Sequence, residues 1–266
     1  MGKLGIQLFL LCFTFFISVS HQMGLDSKEE VEHEKEFDYQ HPGDWGKIHP
    51  EWAACEHGKM QSPIDLSGQE VKGVSELGPL KHNYTPAPAT LKNRGHDMML
   101  QWDSSGAGTL EINGTEYVLK QAHWHSPSEH TIQGKQYALE LHLVHQSKDG
   151  THAVVAFLYQ LGQPDAFIEC LAKKLEEVAG AEKQVLAVGP VNPNDIHIDT
   201  GNFYRYTGSL TVPPCTENVI WTISKKIKDV TNEQVKLIRV AVHDRHETNA
   251  RPTQELNGRD VHVNGP

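Results

Sequence analysis

Gln121-Ala-His-Trp-His125 and Tyr137-Ala-Leu-Glu-Leu-His-Leu-Val-His145 are the two stretches that decide how this chain folds. Both read as β-strands. In an extended chain each residue rises about 3.3 Å and side chains alternate between faces, so His123 and His125 project side by side. In the second stretch, alternation puts Glu140, His142 and Val144 on one face and Leu139, Leu141 and Leu143 on the other. If the strands are neighbours, three imidazoles meet at one point. A fourth tetrahedral position is then left for water, which is the pattern of a catalytic rather than a structural zinc site. The His-x-His pair alone carries no weight, because 17 His in 266 residues make roughly one such pair expected by chance. A lone strand His is more often a hydrogen-bonded structural residue than a ligand. The neighbouring side chains add the weight. Glu140 lies two residues before His142 on the same face, and Gln121 stands in the same relation to His123. Ligating His usually gives its other N–H to a carboxylate or carbonyl. A further carboxylate, Glu129, follows in the loop Ser126-Pro-Ser-Glu-His130.

Outside these strands, residues 1–20 read as a secretory signal peptide. Lys3 supplies the positive start, Leu8 to Val19 the apolar core, and Ser18-Val-Ser20 a small-residue cleavage site. That run is too short to span a bilayer and no other stretch approaches spanning length. Val261-His-Val-Asn-Gly-Pro266 has no hydrophobic tail, so no membrane or lipid anchor is expected. Residues 21–36 read as an acidic lead-in expected to be mobile, and 37–266 suffice for one domain with a substantial core. The formal charge is −10, or −11 once Lys3 leaves with the leader, and no basic cluster appears; both argue against nucleic-acid binding. Asn83-Tyr-Thr and Asn113-Gly-Thr are N-glycosylation sequons open to use on the secretory route. Cys12 leaves with the leader, so Cys55, Cys170 and Cys215 remain. Cys170 falls in a helical pattern over 165–179, with Ile168, Leu171, Leu175 and Val178 on one side and Gly180 as stop, and is expected to be a buried, inert thiol.

No internal repeat appears. Between Leu66 and Trp221, short apolar runs alternate with Gly, Pro, Asn and Asp punctuation. Asn113-Gly114, between two β-prone runs, signals a hairpin. Helical signals are few: the 165–179 segment, and Thr231-Asn-Glu-Gln-Val, where Thr231 and Gln234 form a capping-box pattern. The fold class is mainly β with peripheral helices.

Eight landmarks then occur in a fixed order: Gln61-Ser-Pro-Ile-Asp65, Asn93-Arg-Gly-His96, His123-Trp-His125, Ser128-Glu-His130, Glu140-Leu-His-Leu-Val-His145, Leu210-Thr-Val-Pro-Pro214, Trp221 and Asn249-Ala-Arg-Pro252. In this the chain resembles the α-class carbonic anhydrases from about Phe37 to about Val263. Pro50-Glu-Trp, Gln61 to Leu66 and Cys215-Thr-Glu look most like the plant branch, which includes the dioscorin storage proteins. The resemblance implies a single domain with a large twisted, mostly antiparallel central sheet, short peripheral helices and a conical active-site cleft. It implies cis peptides before Pro63 and Pro214 and a Cys55–Cys215 disulfide. Such a link would contribute up to about 5 kcal/mol in the chain-entropy picture and anchor the loop carrying Thr211.

The implied activity is zinc-dependent, reversible hydration of carbon dioxide to bicarbonate and a proton, by attack of zinc-bound hydroxide with a His proton shuttle. By resemblance, His123, His125 and His142 hold Zn2+, while Gln121, Glu140 and the backbone near Asn249 orient them. Thr211 and Glu129 orient the hydroxide, and His96 is the shuttle, with Arg94 beside it as a charge that depresses its pKa. Val144, Val154, Leu210, Val219 and Trp221 would form the apolar wall for carbon dioxide. Plainer readings stand beside these: Thr211 as a loop hydroxyl, Glu129 as a solvated carboxylate, the apolar residues as core. On spacing alone His96 reads as a surface His, much like His82, His130 and His145.

The rival reading is a dioscorin-like storage or carbohydrate-binding protein on the same fold with little or no activity. Dioscorin-type chains replace at least one of the three ligands, and here all three are present. A cupin reading rests on His123-x-His125-x3-Glu129 and fails because no Gly-x5-Pro-x-Gly-x2-His segment follows. The signal peptide directs the chain to the secretory pathway, with the extracellular space or apoplast as destination and chloroplast or vacuole as alternatives. Oligomeric state is not legible.

Overall fold

The computed structural model describes residues 37–66, 71–73, 77–103, 106–179, 184–240 and 248–265, with backbone alone at 71–73 and 240. The expected signal peptide, the lead-in and the helix stop at Gly180 lie outside the described residues. The strands are β1 (Val71–Gly73), β2 (Lys81–Tyr84), β3 (Ala87–Asn93), β4 (Met98–Trp102), β5 (Gly108–Ile112) and β6 (Thr115–His125). They continue with β7 (Leu139–Gln146), β8 (His152–Leu161), β9 (Val185–Val191), β10 (Phe203–Ser209), β11 (Glu217–Ser224), β12 (Lys228–Val230) and β13 (Val261–Asn264). All belong to one sheet, ordered β1-β13-β10-β11-β8-β7-β6-β4-β3-β9, with β2, β5 and β12 off this path. Pairing is antiparallel except at β1–β13, β8–β11 and β8–β12, which run parallel. The mostly antiparallel sheet that the resemblance implies is therefore present, with a parallel seam where β8 meets β11.

The sequence explains the middle of the sheet. Every residue of β7 from Leu139 to His145 is buried, so this strand is covered on both faces. Leu139, Leu141 and Leu143 join the larger apolar cluster, which also takes Phe157, Tyr159 and the inner side of the long helix. On the other face lies a second cluster with Val144, Val154, Ala156 and Trp221. Glu140 and His142 project to that same side, where a polar site is set into an apolar wall. β6 pairs with β7 so that His123 stands opposite His142 and His125 opposite Glu140, with an irregularity between Leu119 and Gln121. The hairpin between β5 and β6 turns at Asn113 and Gly114, with φ of 51° and 78°. Two successive left-handed residues make the turn twist with the strands.

Helices are short: α1 (Trp45–Ile48), α2 (Ala54–His57), α3 (Ala166–Val178) and α4 (Asn232–Val240). Asp165 caps α3 by accepting from the Ile168 N–H at 3.0 Å. The α3 stripe buries Phe167, Ile168, Leu171, Leu175 and Val178. Cys170 does not share it: the thiol is exposed and unpaired, which corrects the expectation of a buried cysteine. At 3.6 residues per turn, position 170 lies off the edge of the apolar stripe, and the small side chain does not reach the sheet. The capping box of α4 is present, with Gln234 N–H to Thr231 Oγ1 at 3.2 Å and Thr231 N–H to Gln234 Oε1 at 3.3 Å. Gln234 also bonds both backbone groups of Asp165, each at 2.9 Å, tying the starts of α3 and α4 together.

Cys55 and Cys215 form a disulfide, with Cα atoms 5.1 Å apart. It sits among Tyr39, Trp45 and Trp52 and ties the N-terminal aromatic segment to the loop after Thr211. The Ser62–Pro63 and Pro213–Pro214 peptides are cis, and so is Ser126–Pro127, which the resemblance did not point to.

Candidate metal centre

Strands β6 and β7 bring His123, His125 and His142 together. One nitrogen from each lies within 4.8 Å of the others, and all three rings are buried. Each ring has its second nitrogen engaged. His123 Nδ1 meets Gln121 Oε1 at 2.8 Å, His125 Nδ1 meets the Asn249 carbonyl at 2.7 Å, and His142 Nε2 meets Glu140 Oε1 at 2.7 Å. Those partners are acceptors, so each engaged nitrogen carries the proton and the opposite nitrogen keeps a lone pair. The open atoms are His123 Nε2, His125 Nε2 and His142 Nδ1. His125 Nε2 is buried with no hydrogen-bond partner. His123 Nε2 and His142 Nδ1 stand 3.3 Å apart, two lone pairs facing each other. Two acceptors at that distance repel unless a cation lies between them. Burial also lowers the pKa of all three, His125 to about 3, so the rings stay neutral and able to ligate.

The carboxylates form the next layer. Burial alone would raise Glu140, but the electrostatic attraction of the His130 and His142 rings and their hydrogen bonds to it hold it well below the usual range. Glu140 Oε2 also accepts from the N–H groups of Glu129 and His130, each at 2.8 Å. His130 continues the network. Its Nδ1 bonds Glu140 Oε1, its Nε2 bonds the Tyr206 hydroxyl, and Tyr206 bonds Ser62 Oγ, each at 2.7 Å. Glu129 is fully buried rather than a solvated loop carboxylate. Burial, then the charge of Glu140, push its pKa well up, while the Arg251 N–H and the Thr211 hydroxyl pull it back. Arg251 N donates to Glu129 Oε1 at 2.9 Å, and Oε2 is buried without a hydrogen-bond partner.

His123, His125 and His142 give chemistry of one kind: neutral nitrogen donors, each held from behind by an acceptor. The donor set suits zinc, which takes imidazole nitrogen in tetrahedral sites. The profile of the eukaryotic-type carbonic anhydrase family matches residues 40–265 of this chain.

The chain belongs to that family.

Among its relatives is Alpha carbonic anhydrase 7 of Arabidopsis thaliana, 51% identical over 263 residues, covering 97% of this chain and 95% of the relative. Carbonic anhydrase Nec1 of Nesocodon mauritianus is 42% identical and covers 97% of this chain and 94% of its own length. Among solved structures, dioscorin complexed with ascorbate superposes with a TM-score of 0.82 at 40% identity, covering 86% of this chain and 96% of that one. The α-carbonic anhydrase of Thermovibrio ammonificans, in complex with the inhibitor sulfanilamide, superposes at 0.75 with 32% identity, covering 83% and 94%. As a carbonic anhydrase the chain is an enzyme, and hydration of carbon dioxide is the general activity of the family.

In this carbonic anhydrase the expected wall residues lie together. Val144, Val154, Val219 and Trp221 are buried in one cluster with Leu210 packed on it, and the Trp221 ring stands 4.8 Å from His142. Asn249 acts through more than its carbonyl: its side chain accepts from Ser126 N–H at 2.7 Å and donates to the carbonyls of His96 and Trp124. His96 is not a surface residue. It is 5% exposed, its ring 4.9 Å from Phe37 and its Nε2 3.9 Å from Asp97. His130 and His145 are fully buried and His82 is half-buried, so spacing misjudged this group. Arg94 is not a lone charge beside His96. It makes a two-pronged ion pair with buried Asp97, Nε to Oδ1 at 2.7 Å. Asn83 and Asn113 are both exposed, on β2 and at the hairpin turn.

Arg251, Tyr206 and Ser62 were not singled out from the sequence. Arg251 donates to Gln61 Oε1, Ser62 O and Cys55 O, each at 2.8 Å, while its N–H holds Glu129. The Asn249-Ala-Arg-Pro252 and Gln61-Ser-Pro landmarks were the available signal, since the two motifs bind each other.

Proposed function

We propose that this carbonic anhydrase hydrates carbon dioxide reversibly to bicarbonate and a proton with one zinc ion held by His123, His125 and His142. The observation that carries the reading is that three ring nitrogens are open and convergent while the three opposite nitrogens are all engaged. Zinc there would favour ionised Glu129 and bring the pKa of a water to about 7, a value established for carbonic anhydrase itself rather than read from this chain.

The chain's own residues do the rest. Gln121, Glu140 and the Asn249 carbonyl fix the tautomer and tilt of each ring. Thr211, donating to ionised Glu129, presents a lone pair to the reacting oxygen and so selects for groups that can donate a proton back. Val144, Val154, Leu210, Val219 and Trp221 offer carbon dioxide an apolar surface and keep bulk water away. His96 takes the proton outward, since an imidazole titrates near physiological pH. The disulfide and the reading of residues 1–20 support a secretory route ending in the apoplast, with glycans on Asn83 and Asn113.

The likeness to dioscorin supports a second reading as a storage or carbohydrate-binding protein. The complete triad favours the enzyme. Zinc content of the purified protein with stopped-flow hydration tests this: about one zinc per chain is expected, with hydration lost on chelation and regained on adding zinc. Zinc-loaded protein without hydration would leave the storage reading in its place.

A further inference from the structure

On the sheet face opposite the histidine triad, Arg205 has an incomplete set of partners among the described residues. Three other arginines each meet two or more acceptor atoms. Arg94 pairs with Asp97, Arg251 reaches three oxygens, and Arg259 reaches the carbonyls of Leu256, Thr207, Gln61 and Glu255. Arg205 donates from Nε and Nη2 to a single atom, Thr222 Oγ1, at 3.1 and 3.0 Å. A guanidinium carries five N–H donors in a rigid fork, so the outer edge, formed by Nη1 and the second hydrogen of Nη2, is left open. The group is half-buried, and the Phe203 ring beneath it, 4.9 Å from Cζ, offsets part of the desolvation. Burial draws its pKa down to about 10, and among the described residues no carboxylate acts to raise it again. That is unusual in a chain with 34 acidic and 24 basic residues, where a half-buried cation is ordinarily matched by an acid.

The strand register places two further polar side chains beside it. Thr222 on β11 and His262 on β13 both stand directly opposite Arg205 on β10. Opposed residues share a face, with Cβ atoms about 5 Å apart. Thr222 is buried, and because its oxygen accepts both Arg205 bonds, its own hydrogen must point elsewhere. His262 Nδ1 is buried without a hydrogen-bond partner. The row therefore offers a cationic fork whose inner edge is held by Thr222 Oγ1 and whose outer edge meets no acceptor among the described residues, with an unpartnered ring nitrogen in the same row. We propose that Arg205, Thr222 and His262 form a second binding site, separate from the metal centre, for a small carboxylate-type oxyanion. Two coplanar oxygens on one carbon match the open edge of the fork, and a ligand of that class includes bicarbonate itself.

The test is NMR of the folded chain, following the Arg205 Nε–H and the Thr222 methyl during titration with sodium formate and, separately, sodium bicarbonate. Sodium chloride at matched ionic strength is the control. Both signals are expected to move saturably with a half-point on the order of millimolar, as one bidentate charged contact gives, and chloride should not reproduce the shift. Arg205→Gln should abolish the Thr222 response, and Thr222→Val should weaken binding roughly three- to tenfold. If Arg205→Gln does not fold, Arg205→Lys keeps the charge without the fork and should weaken binding roughly tenfold. A lack of saturation by about 0.1 M, where screening is already strong, overturns the site. So does an equal response to chloride, or unchanged binding in whichever Arg205 variant folds.

Discussion

His142 and His145 sit three residues apart on β7, both buried, and serve opposite ends. His145 faces the leucine side of the sheet. Its Nδ1 donates to the Ala153 carbonyl at 3.1 Å and its Nε2 accepts from the Tyr84 hydroxyl at 2.7 Å. Both nitrogens of the neutral ring are used, and nothing is left to bind. His142 faces the other way, with Nε2 held by Glu140 and Nδ1 left open toward His123. The difference teaches that burial does not make a histidine a ligand. What does is burial with one nitrogen satisfied and the other aimed at two more of its kind. The same test sorts His130, which bonds Glu140 and Tyr206 through its two nitrogens.

That contrast can be broken by substitution. Replacing His142 by Gln should cost the largest effect. Zinc affinity should fall by more than roughly a hundredfold, because losing even an outer hydrogen-bond partner of a ligand costs about 10–100-fold. Full zinc occupancy of H142Q in a metal analysis would show that another residue is the ligand.

His145 should answer to pH instead. Burial lowers its pKa from the ordinary 6.5 to about 4. Above pH 6.5 neither the folded nor the unfolded ring is charged, so this group costs the fold nothing. As pH falls from 6.5 toward 4, the unfolded chain takes up a proton that the folded chain refuses, and stability drops by about 3 kcal/mol. His145→Gln should be less stable at pH 7 yet lose less on going to pH 4.5 in urea denaturation. An identical pH slope in both proteins would remove His145 from this role.

Glu140→Gln sharpens the comparison from behind the ligand. It should lower zinc affinity about 10–100-fold without removing a ligating atom, read by competition with a chelator. An unaltered affinity would mean that the His142 tautomer does not depend on Glu140. Smallest is Thr211→Ala, which should weaken an aromatic sulfonamide roughly tenfold, the value of one hydrogen bond near a charge. Affinity equal to that of the parent chain would place Thr211 outside the site.

The local features were legible because their causes are local. Alternation in Leu139–Leu143, the Asn113-Gly114 turn and the Thr231–Gln234 box each depend on residues within a few positions, and each is present. The triad was half legible: two residues apart on one strand could be read, while their meeting with His142 needed the β6–β7 register. Gln121 and Glu140, two residues before their ligands, were legible as well, but the layer beyond them was not. Arg251 meets Gln61 and Ser62 from across the chain, and Tyr206 meets His130 likewise, so no spacing rule encodes them. The burial of Glu129, His96, His130 and His145 was hidden for the same reason. A polar side chain is expected at the surface until its distant partner is known. Cys170 failed differently, because it stands at the edge of its helix stripe, where a pattern cannot say which side wins.

The central claim concerns which nitrogens are open, and 15N NMR of the histidine rings reads that directly. Zinc-free protein titrated with zinc should show His123 Nε2, His125 Nε2 and His142 Nδ1 moving together to metal-bound shifts at about one equivalent, with His130 and His145 unmoved. Zinc that moves His145 or His130 as a ligand, or that leaves any one of the three unchanged, contradicts the account.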